Sequence, residues 1–132
     1  MSFFKAKIVD IQKCDTLHLV KFSFNSQNLS MISLELDSDI KIGVDVKLMV
    51  KPTHISISKE FDLQLSCDNQ LKAKIIDIEN GEILSSIRLD IEGQVLESII
   101  TFSSSQRLDL KVNDNIVAIV QSCDLSIGEI YE

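Results

Sequence analysis

Apolar and polar positions alternate in short runs along most of this chain. In its second half the runs are Leu71–Ile78, Ile83–Ile91, Val95–Phe102, Ile116–Gln121 and Leu125–Ile127. Alternation with a period of two is typical of strands that bury one face, and these lengths are usual for strands. The pattern therefore predicts about five short strands in this half of the chain.

The segments between these runs carry turn and helix signals. Asn80-Gly81 predicts a hairpin with positive φ at both residues, and Glu92-Gly93 predicts a second turn. The segment Ser103–Leu110 predicts one or two helical turns, with a serine N-cap ahead of Leu108. Five short strands with one helical insert are typical of a small Greek-key barrel of the OB kind.

The first half of the chain repeats this pattern. The stretch KAKIVDI from Lys5 matches KAKIIDI from Lys72, which is an offset of 67 residues. Later, IKIGVDVKLMV from Ile40 lies over LKVNDNIVAIV from Leu110 at an offset of 70, and the three extra residues fall most simply at Ser103–Ser105. The sequence thus predicts an all-β protein made of two tandem OB-like barrels, residues 1–63 and 66–132. Domains this small are expected to pack together or to oligomerise.

Composition and charge reduce the range of functions that the chain can have. Hydrophobic residues make up 45% and charged residues 25%, as in globular proteins. The net charge of −7 arises entirely within residues 66–132, because residues 1–65 are neutral overall. An acidic chain with one Tyr and no Trp is a poor partner for nucleic acid, which favours basic grooves and stacking aromatics. The N-terminal stretch MSFFKAK lacks a signal-peptide core and no run reaches membrane-spanning length, so a cytoplasmic location without a membrane partner is expected.

Catalytic and metal-binding patterns do not stand out in the sequence. There is no nucleophile–base pair, Gly-rich phosphate loop or pair of catalytic carboxylates, so we expect no enzyme activity. His18 and His54 lie on separate predicted strands without other ligands at suitable spacing. Cys14, Cys67 and Cys123 form no CxxC pair and are expected to be reduced structural cysteines.

Two stretches of the second half carry a family likeness. SCDNQLKAKIIDIENGEI from Ser66 and SIITFSSSQRLDLKVNDNIVAIVQSCDLSIG from Ser98 resemble the molybdate-binding Mop or TOBE domain. As a tandem, the chain resembles the cytoplasmic di-Mop molbindins. The resemblance implies a homotrimer that holds molybdate or tungstate between domains, for storage, buffering or sensing. A tetrahedral dianion requires hydrogen-bond donors on several sides, such as backbone N–H groups, hydroxyls and a cation.

Candidate site residues follow from the motifs of that family. Its Ser-Ala-Arg-Asn motif falls on residues 66–69, and its Lys-Ala-Ser motif falls on residues 51–53 and 121–123. The resemblance therefore implies oxyanion binding by Lys51, Thr53, Ser66, Asn69, Gln121 and Ser122. For any one of the Ser, Thr and Asn residues alone, a role in turns is the more ordinary interpretation, and for Lys51 a solvated strand-end lysine is an equal alternative.

Two departures from the motifs leave a second hypothesis open. Asp68 places a carboxylate where the family has arginine, and Pro52 removes a backbone N–H donor. The alternative is a binding-incompetent tandem TOBE module that acts in protein interaction, or in regulation of a transporter or transcription factor. Asp68, Pro52 and the acidic second half favour this alternative, whereas Lys51, Ser66 and Ser122 favour oxyanion binding.

Overall fold

The computed structural model describes residues 2–131, which form two five-stranded antiparallel sheets. The strands are β1 (Ser2–Cys14), β2 (Leu17–Phe24), β3 (Gln27–Ser33), β4 (Asp45–Val50), β5 (Ser56–Ser58), β6 (Asn69–Asn80), β7 (Leu84–Ile91), β8 (Gln94–Thr101), β9 (Asn115–Val120) and β10 (Ser126–Tyr131). A first 3₁₀ turn (Pro52–His54), the helix α1 (Phe102–Arg107) and a second 3₁₀ turn (Ser122–Asp124) lie between strands. The prediction of an all-β class is confirmed. No helix within residues 2–131 is long and apolar enough to cross a membrane.

The two repeats exchange their closing strands. The first sheet has the order β10-β4-β1-β2-β3, and the second has the order β5-β9-β6-β7-β8. Strand β10 at the end of the second repeat thus pairs with β4, while β5 at the end of the first repeat pairs with β9. Each sheet contains one strand from the other repeat. The boundary between residues 1–63 and 66–132 stays a prediction about sequence units, and the sheets cross it.

The core follows the alternation of the strands. Strand β6 buries Leu71, Ala73 and Ile75, and its neighbour β7 buries Ile87 and Leu89 on the same period of two. Buried residues of both repeats form one continuous cluster. Burial of each such aliphatic side chain contributes about 1.5–3 kcal/mol, so the two halves stabilise each other through this shared core.

Two local predictions were wrong. Neither Asn80 nor Gly81 has positive φ; a three-residue loop joins β6 to β7 and is closed by the Gly81 N–H on the Leu84 carbonyl at 2.8 Å. The Ile83 carbonyl accepts from the Phe102 N–H at 2.8 Å, which holds Ile83 beside the end of β8. Because Ile83 is used in this contact, the loop between β6 and β7 has three residues and not two. The two-residue turn with positive φ at both positions is Glu92-Gly93.

The N-cap of α1 also differs from the prediction. It is Thr101, in extended conformation at the end of β8, and not one of the serines. The Thr101 hydroxyl accepts from the Ser104 N–H at 3.1 Å, which satisfies one of the free donors of the first turn.

Equivalent residues of the two repeats meet at two places. Asn25 and Glu92, which are 67 positions apart, are joined by the Asn25 amide on the Glu92 carbonyl at 3.0 Å. His54 and Asp124, which are 70 positions apart, approach to 3.6 Å between Nδ1 and Oδ1. An approximate two-fold axis relating the repeats therefore passes through both contacts. At the first contact the Ser26 hydroxyl and N–H both donate to the Glu92 carboxylate, and these bonds lower the pKa of Glu92.

Candidate functional site

The two 3₁₀ turns, which carry the Lys-Ala-Ser positions, lie close together. Their approach is marked by the His54–Asp124 contact at the axis. Lys51 and Gln121 precede the two turns in extended conformation, and neither side chain caps its turn. Both side chains are exposed. One cation and one amide thus remain available near the junction of the repeats.

A group of polar side chains lies between the repeats. It consists of Ser30, Asp68, Asn69 and Ser122, which we term the junction cluster. Asn69 is fully buried, and Ser30 and Ser122 are 7% and 9% exposed. Buried polar atoms require hydrogen-bond partners, and these residues provide them for one another across the repeat boundary.

Asn69 holds the backbone of Ser30 at both of its polar groups. The Ser30 N–H donates to Asn69 Oδ1 at 2.7 Å, and Asn69 Nδ2 donates to the Ser30 carbonyl at 2.9 Å. The side-chain amide of Asn69 thus makes the two backbone hydrogen bonds that a neighbouring strand would otherwise make with Ser30 on β3. Only one N–H of the Asn69 amide is left over for another acceptor.

Two glutamines make the same kind of contact on the surface. Gln27 accepts from the Lys72 N–H at 2.7 Å and donates to the Lys72 carbonyl at 3.1 Å. Its equivalent Gln94 contacts the N–H and carbonyl of Lys5 at 2.9 and 3.4 Å. These contacts join the hairpin of each repeat to the first strand of the other.

The hydroxyls of the junction cluster form a chain that ends on a carboxylate. Ser30 Oγ donates to Asp68 Oδ2 at 3.1 Å and lies 3.0 Å from Ser122 Oγ. A serine hydroxyl has one proton, so the proton between the two serines comes from Ser122. Asp68 itself is exposed and forms the outer end of this chain.

A cleft of about 390 Å³ opens beside the junction cluster. Ser30 and Asp68 line it together with Lys21, Asn28 and Val9. Lys21 on β2 is the cross-strand partner of Ser30 on β3, so the cation and the hydroxyl are neighbours in the sheet. The cleft can accommodate an anion, and a carboxylate already lines it.

The structure brings together some of the predicted site residues. Asn69 and Ser122 are joined through Ser30, and Gln121 directly precedes Ser122. Thr53 lies in the first 3₁₀ turn, which packs against β8, and Lys51 directly precedes that turn. Ser66 and Thr53 are exposed. The oxyanion-binding roles of all six residues stay predictions.

Ser30 is the member of the cluster that the sequence motifs missed. It interrupts the apolar run of β3 between Leu29 and Met31, and its equivalent Glu97 lies between Leu96 and Ser98 in β8. A polar residue at the same place in the middle of both strands was the available signal. Such positions mark contacts between polar groups of different elements.

The described residues contain no metal-ligand cluster. Within residues 2–131 no group of three or more His, Cys, Asp or Glu side chains could hold a metal ion. The three cysteines are free; Cys67 is buried and donates to the Val120 carbonyl at 3.1 Å, while Cys14 and Cys123 are exposed. The expectation of a structural role thus fits Cys67 alone.

The paired β-sheets and the polar junction between two sequence repeats place the chain among small tandem β-barrel proteins of OB type. The TOBE domain family matches residues 65–126. A probable molybdenum-pterin-binding protein of Haemophilus influenzae is 33% identical over 67 residues, which are 50% of this chain and 97% of the relative. Molybdenum-pterin-binding protein 1 of Clostridium pasteurianum is 32% identical over 66 residues, 49% of this chain and 97% of the relative. The chain belongs to this TOBE-domain family of Mop-like proteins.

The fold is also that of a solved tandem protein. A structure of the cytoplasmic molybdate-binding protein ModG with molybdate bound superposes with a TM-score of 0.87 at 20% identity, covering 96% of this chain and 94% of ModG. At this identity the likeness concerns the fold. The prediction of a tandem OB-like architecture is thereby confirmed.

Proposed function

We propose that this protein binds molybdate or tungstate in the cytoplasm and stores, buffers or senses the oxyanion, without catalysing a reaction. The observation that carries the proposal is the approach of the two 3₁₀ turns, marked by the 3.6 Å His54–Asp124 contact. Lys51 and Thr53 at the first turn and Gln121 and Ser122 at the second are thereby near the same junction of two repeats. The Ser122 hydroxyl is directed to Ser30 Oγ, so the proposed side-chain donors are Lys51, Thr53 and Gln121. The names of the Mop-like relatives and of ModG support molybdate as the ligand.

The donor chemistry of these residues suits a tetrahedral dianion. Hydroxyls and amides donate without changing charge, and a lysine contributes one positive charge that strengthens each hydrogen bond. Among residues 2–131 Lys51 forms no ion pair, so its charge is not already neutralised by a carboxylate. Binding of this kind requires no covalent change in the ligand, which agrees with a storage or sensing protein.

We further propose a homo-oligomer, with a trimer favoured. The support is a set of large apolar side chains that are exposed at equivalent positions of both repeats. These pairs are Val9 and Ile76, Leu17 and Leu84, and Ile42 and Val112. Exposed apolar surface that recurs with the internal symmetry is typical of an interface between subunits.

Equilibrium dialysis against tungstate at low sulfate tests the proposed function. The wild-type protein is expected to retain tungsten in a fixed ratio to the chain, measured by elemental analysis. Lys51→Ala is expected to weaken retention about tenfold, the effect of losing about 1.4 kcal/mol from one charge-assisted contact.

Lys13→Ala is the matched control, because Lys13 is also an exposed lysine on the first repeat but lies at the far end of β1. It is expected to bind as the wild type does. A wild-type protein that retains no tungsten would refute the proposed function. Equal binding by the Lys51 and Lys13 variants would refute the role of Lys51 alone.

A further inference from the structure

The Asp68 carboxylate uses the hydroxyl donor that an oxyanion at the junction would use. We propose that Asp68 is a built-in anionic occupant of an oxyanion site formed by Ser30 and Ser122, and keeps this site closed to molybdate-like dianions. The inference rests on the proposed function and assigns to Asp68 the control of oxyanion access to this site. Its basis is the Ser30 Oγ to Asp68 Oδ2 hydrogen bond of 3.1 Å.

The hydrogen bonds of the junction cluster leave no hydroxyl proton for a ligand. The Ser30 hydroxyl donates its proton in a hydrogen bond to Asp68 Oδ2, and the Ser122 hydroxyl is directed to Ser30 Oγ at 3.0 Å. Asn69 fixes the Ser30 backbone from both sides at 2.7 and 2.9 Å. Strand β3 therefore cannot shift to present the Ser30 hydroxyl elsewhere without breaking these buried bonds.

Charge acts in the same direction as the hydrogen bonds. A dianion that accepted from Ser30 would lie within a few ångströms of a carboxylate of the same sign, and such like-charge contacts are unfavourable near a protein surface. Lys21, the cross-strand neighbour of Ser30, lines the same cleft of about 390 Å³. The cleft is thus lined by a cation and by the Ser30 hydroxyl, and the Asp68 carboxylate accepts from that hydroxyl.

The symmetry-equivalent positions of the two repeats lack this hydroxyl pair. The residue equivalent to Ser30 is Glu97, and the residue equivalent to Ser122 is Pro52. Neither can provide a neutral hydroxyl donor. Removal of the Asp68 carboxylate is therefore expected to open one additional site per chain, and not two.

The test compares the number of tungstate ions bound per chain in wild-type protein and in Asp68→Ala, by equilibrium dialysis at low sulfate. The variant is expected to bind one ion more per chain than wild type. The double variant Ser30→Ala/Asp68→Ala is expected to return to the wild-type number, because the donor has been lost. Asp39→Ala is the matched control, since Asp39 is an exposed loop carboxylate and its loss changes the net charge equally.

The outcomes separate this inference from the proposed function. If wild type binds no ion and Asp68→Ala binds one, the inference holds and native oxyanion binding is refuted. If wild type binds and Asp68→Ala binds the same number, the inference is overturned and the proposed function stands. An equal increase in the Asp39 variant would also overturn it, because the effect would then be one of net charge. Far-ultraviolet circular dichroism of each variant establishes that the compared proteins are folded.

Discussion

Replacement of Asn69 by alanine tests whether the contact between the repeats stabilises the fold. The change removes both partners of the Ser30 backbone, whose bonds to Asn69 measure 2.7 and 2.9 Å in a site where Asn69 is fully buried. An unsatisfied buried donor or acceptor costs about 1–3 kcal/mol, so the two groups together cost about 2–6 kcal/mol. For a chain of this size the melting temperature is expected to fall by roughly 7–20 °C.

Gln27→Ala is the control with the same chemistry and a different environment. Gln27 makes the equivalent pair of bonds to the Lys72 backbone at 2.7 and 3.1 Å, but at an exposed place where water replaces the lost amide. Its loss is expected to cost less than about 1 kcal/mol. Urea unfolding followed by circular dichroism gives both free energies of unfolding. Equal losses in the two variants would refute the reasoning from burial.

Three further predictions concern the exchanged strand and the two-fold axis. A Cβ on Gly128 would overlap Met49 Sδ, an atom of a flexible and half-buried side chain that can shift, so Gly128→Ala is expected to destabilise by about 1 kcal/mol, and Met49→Ala in the same chain is expected to relieve part of that loss in urea unfolding. Deletion of residues 126–132 is expected to accelerate amide hydrogen exchange in β4 and not in β9, because β10 pairs with β4; faster exchange in β9 alone would contradict the strand exchange. The pKa of Glu92 is lowered in the folded state, so its contribution to stability is present above the ordinary glutamate pKa and is lost as pH falls through the lowered value. Glu92→Gln is therefore expected to be less sensitive to acid over that interval in thermal melts, and an unchanged acid dependence would contradict the role of Ser26.

The sequence was sufficient to predict the strands and the duplication. Period-two alternation in runs such as Leu71–Ile78 depends only on burial of one face, and the structure buries Leu71, Ala73 and Ile75 as that pattern requires. The exchange of closing strands could not be predicted in this way. The runs HISI and DLSI fit an edge position in either sheet, and only the path of the chain through the two 3₁₀ turns decides between them.

The candidate site was predicted less completely than the fold. Motif matching found Asn69 and Ser122, which do lie in one cluster, but it could not find Ser30 because no motif covers β3. In the structure, the Asn69 side chain forms two hydrogen bonds with the Ser30 backbone. Side-chain roles of this kind depend on which strands face each other across the repeats, and local sequence does not contain that information.

Native mass spectrometry with tungstate at low sulfate tests the central claim most directly. Oxyanion binding between repeats of an oligomer predicts discrete added masses on a closed oligomer, with a trimer favoured and a fixed number of ions per chain. The same spectra with sulfate in place of tungstate serve as the control. An intact oligomer that retains no tungstate would contradict oxyanion binding and favour a module that acts through protein interaction.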